Sequence, residues 1–371
     1  MSAPTTTCAT PSTHRAAAAL SPGHWDIISV PTAAPGSGEV LIKVEYVGMI
    51  PFDTYVADLG YHTTEWPMVL GFSCAGTVAR VGEGVPGLDV GDRVTAFSYV
   101  SSRSKGLQEY SVQPYQVVAK LPADFPLDGA ATIPDNLVTA FYTLFNQCGL
   151  PRPAEFPVRT PPAKAALPIL VYGAGSSSGQ YTVQLLRAAG YTNVLATASA
   201  HNHAALREMG AKHVFDYRSK TMAEEIEQAV GGKVALVVDC ISTETTLEAV
   251  GKVLAPDGAI ALLLPVKDGS QLRGAPAEGM YFEVPDHMKG YLPEGVKKLL
   301  VRTFLYQNDE YLKENLMPKI LPQLLEKGII HANPVRLMAE GTLKERIEVA
   351  MDLLRNNKVS REKLVVKIDH E

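Results

Sequence analysis

From Gly173 to Gly179 the chain reads Gly-Ala-Gly-Ser-Ser-Ser-Gly, side chains small enough for a backbone to approach a pyrophosphate and rich in hydroxyls that bind one. An apolar run, 169–172, stands directly before it and an apolar-periodic stretch, 180–189, directly after. The order predicts strand, turn and helix, with the phosphate at the positive helix end. Gly173, Gly175, Ser176, Ser177, Ser178 and Gly179 are therefore candidate cofactor contacts. The last glycine falls one residue later than in a strict G-x-G-x-x-G. A ligand-free tight turn would use the same residues, and only the strand and helix alternation around it favours the phosphate.

Which dinucleotide fits is set some twenty residues on, where an acidic side chain would hold an unphosphorylated ribose. No Asp or Glu occurs between Tyr191 and Arg207. Ser199, with His201 or His203 nearby, can donate to a 2′-phosphate, and Tyr217 and Arg218 stand where they could close over it. NADPH is the expected cofactor. The plainer reading of the two histidines is a solvated helix start.

These groups need a scaffold, and 371 residues are enough for two cores. Hydrophobic residues make up 46% and charged ones 20%, ordinary proportions for a folded chain. A net charge of −5 without a dense Lys/Arg run argues against nucleic acid as a partner. The 4 cysteines contain no Cys-x-x-Cys pair, which fits a reducing compartment. No apolar stretch approaches the ~20 residues of a membrane helix, and no signal pattern opens the chain, so cytoplasm is expected. Residues 1–13, rich in Thr, Ser, Ala and Pro, read as a disordered tail.

Short β runs cut by Gly and Pro follow, at 40–49, 74–82, 92–100 and 109–121. Helical spacing appears after Leu121, through Ala130, Leu137, Phe141 and Leu144, and a Pro-heavy connector spans 151–168. From 169 onward strands and helices alternate, which predicts a parallel sheet covered on both faces. Two amphipathic helices, about 310–326 and 342–356, precede a closing strand, KLVVKID, without a following helix; its expected place is the β domain. The fold class expected is α/β, a β domain beside a doubly wound parallel sheet. The loops 98–105 and 264–287 are the expected source of substrate-pocket side chains.

Three segments, PGSGEVLIKVEYVGMIPFDTY, LGFSCAGTVARVGEGVPGLDVGDRV and the GAGSSSGQ turn, come in the order that resembles the medium-chain dehydrogenase/reductase superfamily. The resemblance spans nearly the whole chain, about 15–368. It implies a GroES-like β domain made of 14–134 and 313–371, and a Rossmann domain, 135–312, that binds the cofactor.

Zinc-dependent alcohol dehydrogenases of that superfamily carry G-x-C-G-x-D and, later, L-G-H-E. Here Ile50 takes the Cys position in Gly48-Met-Ile-Pro-Phe-Asp53, and Phe72-Ser73 replaces the His-Glu pair in Leu70-Gly-Phe-Ser-Cys-Ala-Gly76. Neither Ile nor Phe ligates a metal, so no metal site is expected. The pattern instead is similar to the zinc-independent quinone oxidoreductases and enoyl reductases, most of all to the trans-acting enoyl reductases of fungal polyketide synthases. Pro51 and Asp53 match their Asn-Pro-x-Asp motif, with Ile50 in place of the Asn.

By the same resemblance Tyr61 is the proton donor, with Tyr55 as the alternative, and Thr139 and Cys240 join Pro51 and Asp53 as cofactor contacts. The activity implied is NADPH-dependent reduction of an activated C=C bond in an enoyl thioester, enone or quinone, in secondary metabolism. The substrate would be a small molecule or carrier-bound, and the protein a monomer or a homo-oligomer. Three alternatives stand beside this: carbonyl or alcohol chemistry, a non-catalytic NADPH-binding protein, and water rather than a tyrosine as the proton source.

Overall fold

The computed structural model describes residues 10–269 and 279–370. Residues 169–301 build a six-stranded sheet in the order His213–Phe215, Val194–Thr197, Ile169–Tyr172, Val234–Asp239, Leu254–Leu263, Lys297–Val301. Every pairing in it is parallel. The strand order steps outward in both directions from Ile169–Tyr172, and in such sheets ligands sit at that switch point, beyond the carboxyl ends of the strands. All four residues of Ile169–Tyr172 are buried, as a strand covered on both faces requires. Sequence reading missed the edge strand Lys297–Val301, whose Lys297 and Lys298 break its apolar run and are exposed.

The β domain holds a seven-stranded sheet, in which Val335–Met338, Lys363–Lys367, Glu39–Met49, Ser73–Val81, Arg93–Phe97 and Val118–Lys120 lie in that order and Tyr110–Pro114 also pairs with Glu39–Met49. The closing strand Lys363–Lys367 does return to this domain, antiparallel to Glu39–Met49. A three-stranded sheet of His24–Pro31, Thr13–Ser21 and Met68–Val69 adjoins it. None of its three strands is among the β runs read from the sequence. Ala16 to Ala19 are fully buried in Thr13–Ser21, yet alanine has little strand preference of its own, so packing alone makes this a strand.

Thr13 is thus already structured, while residues 1–9 of the expected tail lie outside the described residues. The run at 109–121 is broken by a 3₁₀ turn, Tyr115–Val117. The expected helix at 310–326 is interrupted by a π-turn, Leu316–Ile320, where Pro318 cannot donate a helical hydrogen bond. The domains meet along helix Pro134–Tyr142, which packs against helix Ser177–Ala188. No helix among the described residues is long and apolar enough to cross a membrane.

Candidate active site

Strand Ile169–Tyr172 delivers the chain into the glycine turn. Gly173 has φ +74°, and a Cβ there would strike the Ile241 side chain. A Cβ on Gly179 would lie 2.6 Å from Ala174 Cα, so only glycine lets the helix start this close to its strand. Ser176 caps helix Ser177–Ala188, its Oγ accepting from Gly179 N at 3.1 Å, and its carbonyl takes Gln180 N. The first-turn amides of Ser177 and Ser178 have no acceptor within the helix and point out of its N-terminus. Gly173 N donates to Thr197 Oγ1 at 2.9 Å, which ties the turn to the second strand. A tight, amide-rich cradle of this kind fits a dinucleotide pyrophosphate.

A cleft of about 590 Å³ runs from this turn into the space between the domains. Of the residues singled out in the sequence, Pro51, Tyr55, Thr139, Gly175, Ser176, Ser177, Ser178 and Cys240 line it. Thr139 Oγ1 donates to Asp135 O at 2.7 Å and lies 3.1 Å from Thr303 Oγ1. Burial pushes the Cys240 thiol far up, so it packs as a neutral group. Ser178 Oγ donates to Asn136 Oδ1 at 2.9 Å, joining the helix start to the interdomain helix. The Asn136 neighbour Asp135 makes a buried ion pair with Lys363 at 2.5 Å and accepts from Ser73 Oγ at 2.7 Å.

Beyond these polar groups the cleft is walled by aromatic rings. Phe52 meets Phe72 edge-on at 5.1 Å and Phe304 at 5.5 Å, and Phe97 stacks on Phe304 at 6.0 Å. Helix Pro51–Leu59, opened by Pro51 and ended by the left-handed Gly60, carries Phe52 and Tyr55 into this wall. Tyr61 follows the cap. It packs behind the lining, 8% exposed, against Phe52 at 5.6 Å and Tyr55 at 6.3 Å. Its hydroxyl has no hydrogen-bond partner among the described residues, and burial pushes its pKa up to about 12. Tyr55 is pushed higher, again by burial.

Asp53 needs correction as a cofactor contact. It is 0% exposed, and its carboxylate accepts from Ile50 N at 2.9 Å and from Gly71 N at 2.8 Å, closing the helix start and anchoring the Gly71 turn. Burial raises its pKa to about 6; Lys105 nearby, its ammonium 3.6 Å from the Phe72 ring centroid, is lowered to about 8 by burial too. Lys105 is the end of the expected substrate loop 98–105, which itself gives the cleft no lining side chain. Leu264, Pro265, Lys267 and Phe282 from 264–287 do line it, while 270–278 lie outside the described residues.

At the adenosine end Ser199 stands half-buried just beyond strand Val194–Thr197. His201, Tyr217 and Arg218 are exposed and, like Ser199, outside the cleft lining. Arg218 does not stand free: it grips Asp216 through two bonds of 2.9 and 2.8 Å, which hold the Asp216 carboxyl far below its usual range. His201 Nε2 lies 3.3 Å from Ser360 Oγ. Sequence reading missed the segment behind this contact. Arg361 lines the cleft, and its Nε donates to Asn202 Oδ1 at 3.1 Å from a left-handed backbone, φ 58°. No motif marks it; only the return of the final strand brings it here. Among the described residues no three His, Cys, Asp or Glu side chains are grouped to hold a metal.

Comparison with known proteins agrees with this geometry. Residues 36–123 match the alcohol dehydrogenase GroES-like domain and residues 179–272 the family described as zinc-binding dehydrogenase. The chain is 30% identical over 337 residues to the trans-enoyl reductase himH of Aspergillus japonicus, covering 89% of this chain and 90% of that protein. It is 29% identical over 371 residues to lovC of Aspergillus terreus, the enoyl reductase component of lovastatin nonaketide synthase, covering 95% and 96%. Among solved structures, the CurK enoyl reductase superposes with a TM-score of 0.73 at 22% identity, over 96% of this chain and 99% of that one. A quinone oxidoreductase of Pseudomonas syringae pv. Tomato DC3000 gives 0.74 at 20%, over 96% and 100%. The protein belongs to the medium-chain dehydrogenase/reductase superfamily and is an oxidoreductase of that kind.

Proposed function

We propose that the protein reduces an activated C=C bond, in an enoyl thioester, enone or quinone, with NADPH as hydride donor and without a metal. Enzymes of this family use a nicotinamide cofactor. The observation that carries the reading is the make-up of the cleft: a phosphate-sized cradle at one end, and at the other an aromatic chamber lined by Ile50, Phe52 and Phe304 with Phe72 packed behind Phe52, so that Ile50 and Phe72 stand in place of a thiolate and an imidazole. Ser199, with no acid at the end of its strand, supports the phosphorylated dinucleotide. Relatives named as trans-enoyl reductases support a carrier-bound enoyl chain as substrate and a place in secondary metabolism.

NADPH, when bound, would supply the hydride for the β carbon of the activated bond. The chain's own residues do the rest. Gly175 and Ser176 to Ser178 would hold the pyrophosphate, and Thr139 and Cys240 border the inner cleft. Phe52, Phe97 and Phe304 exclude water from the reacting carbons. A phenol that burial keeps protonated delivers the proton to the α carbon, Tyr61 from behind the lining or Tyr55 from the cleft wall.

The test is consumption of NADPH with an enoyl thioester, an enone and a quinone, run beside a simple ketone and after exhaustive chelation. The reading expects turnover of a conjugated substrate, none of the ketone, and no loss on chelation. Turnover of the ketone alone, or activity restored only by zinc, would move carbonyl chemistry to the front. No turnover with tight NADPH binding would leave a cofactor-binding protein.

A further inference from the structure

Phe282 follows the short strand Met280–Tyr281, and 43% of it is exposed, a large apolar side chain left open at the rim of the cleft it lines. It is nevertheless held firmly. Its ring stacks on Tyr61 at 5.7 Å and 14°, meets the His62 ring at 5.8 Å, and has the Arg302 guanidinium 5.8 Å from its centroid. Tyr61 and His62 belong to the β domain, Phe282 and Arg302 to the dinucleotide domain, so the contact spans the cleft between them. Leu305, 44% exposed, adds a second open apolar side chain to the lining.

An aromatic ring fixed by its neighbours yet open to a cleft presents apolar area at little conformational cost. Such area gains only by covering apolar matter. The polar cofactor end of the cleft lies at the glycine turn and Phe282 stands beside Tyr61 at the open rim, so a substrate chain that runs outward from the reacting carbons passes this ring. We propose that Phe282 is a specificity-determining residue whose ring receives the alkyl chain of the substrate, so that the protein favours enoyl substrates whose chain is long enough to reach the rim. This rests on the C=C reading above.

The experiment compares a short enoyl group, crotonyl, with a long one, dodecenoyl, on the same neutral N-acetylcysteamine thioester, in wild type and Phe282→Ala. The ratio of kcat/KM, long over short, should fall on the order of tenfold in the variant, through KM of the long substrate. Phe282→Leu, which keeps apolar bulk, should fall by less and serves if the alanine variant does not fold. An unchanged ratio, equal losses on both substrates, or a ratio that rises would overturn the proposal. If wild type binds NADPH but reduces neither thioester, nor an enone or a quinone, the C=C reading falls and this inference with it; turnover of the enone or quinone alone, or a reduced thioester pair with an unmoved ratio, sinks the inference and leaves the C=C reading standing.

Discussion

Arg361 reaches across from the β domain to Asn202 of the dinucleotide domain, Nε to Oδ1 at 3.1 Å, and does so from a left-handed backbone. For a side chain other than glycine that conformation costs about 1 kcal/mol or more, and such residues gather at functional sites. Arg361→Gly separates the two effects. Removing the guanidinium from the phosphate end should weaken NADPH binding about tenfold in a fluorescence titration, while relief of the backbone should leave the melting temperature unchanged or raised. A fall in stability with intact affinity would make Arg361 a structural tie only.

NADPH should bind more tightly than NADH by about 1.5–3 kcal/mol, the scale of a charge-assisted hydrogen bond, because no carboxylate follows the second strand at Ser199. Ser199→Asp should narrow or reverse that difference by repulsion. Asp216 keeps Arg218 occupied, so Asp216→Asn should release that guanidinium and widen the preference. Equal affinities for the two cofactors in wild type would refute the assignment.

Tyr61→Phe should lower kcat by about 10²–10⁴, the usual loss of a general acid, with cofactor affinity intact. The pH profile gives a second check. A phenol with its pKa near 12 is protonated from pH 6 to 10, so the acid form needed for catalysis persists and this group puts no basic limb in that range. A limb near pH 9 that disappears in Tyr61→Phe would mean that the phenol is far less shielded than its packing requires.

Asp53→Ala should destabilise the protein by about 1–3 kcal/mol, since Ile50 N–H and Gly71 N–H lose a buried acceptor. Its carboxyl has a folded pKa of about 6 against an ordinary 3.8, so the native state holds the proton more tightly. The contribution of Asp53 is therefore full at low pH and declines as pH rises from 3.8 to 6. Thermal unfolding should show a larger difference between wild type and variant at pH 5 than at pH 8.

The dinucleotide domain is legible, its edge strand Lys297–Val301 apart, because most of its elements declare themselves locally: Ile169–Tyr172 is a continuous apolar run, and Gly173 to Gly179 can serve few purposes. The strand Thr13–Ser21 is not, because four alanines carry no β signal until other strands bury them. The site divides the same way. Ser176 to Ser178 sit beside one another in sequence, whereas Ser360 and Arg361 reach the adenosine end only through the pairing of Lys363–Lys367. Asp53 was misplaced for a different reason. A residue type suited to binding was instead spent on two backbone amides, which burial alone reveals.

The pairing of Lys363–Lys367 with Glu39–Met49 also orders events during synthesis. The six parallel strands between Ile169 and Val301 follow one another along the chain, so that sheet can assemble as it leaves the ribosome. The β domain starts first and finishes last. Until that closing strand emerges, the Tyr46–Met49 end of one flank of Glu39–Met49 offers unpaired amides and carbonyls to any other nascent chain, and Asp135 waits without Lys363, 228 positions away. The cleft residues Asp135 and Lys363 can therefore meet only once Lys363–Lys367 has been made, so a translation pause before that strand should lower the yield of active protein more than one placed early.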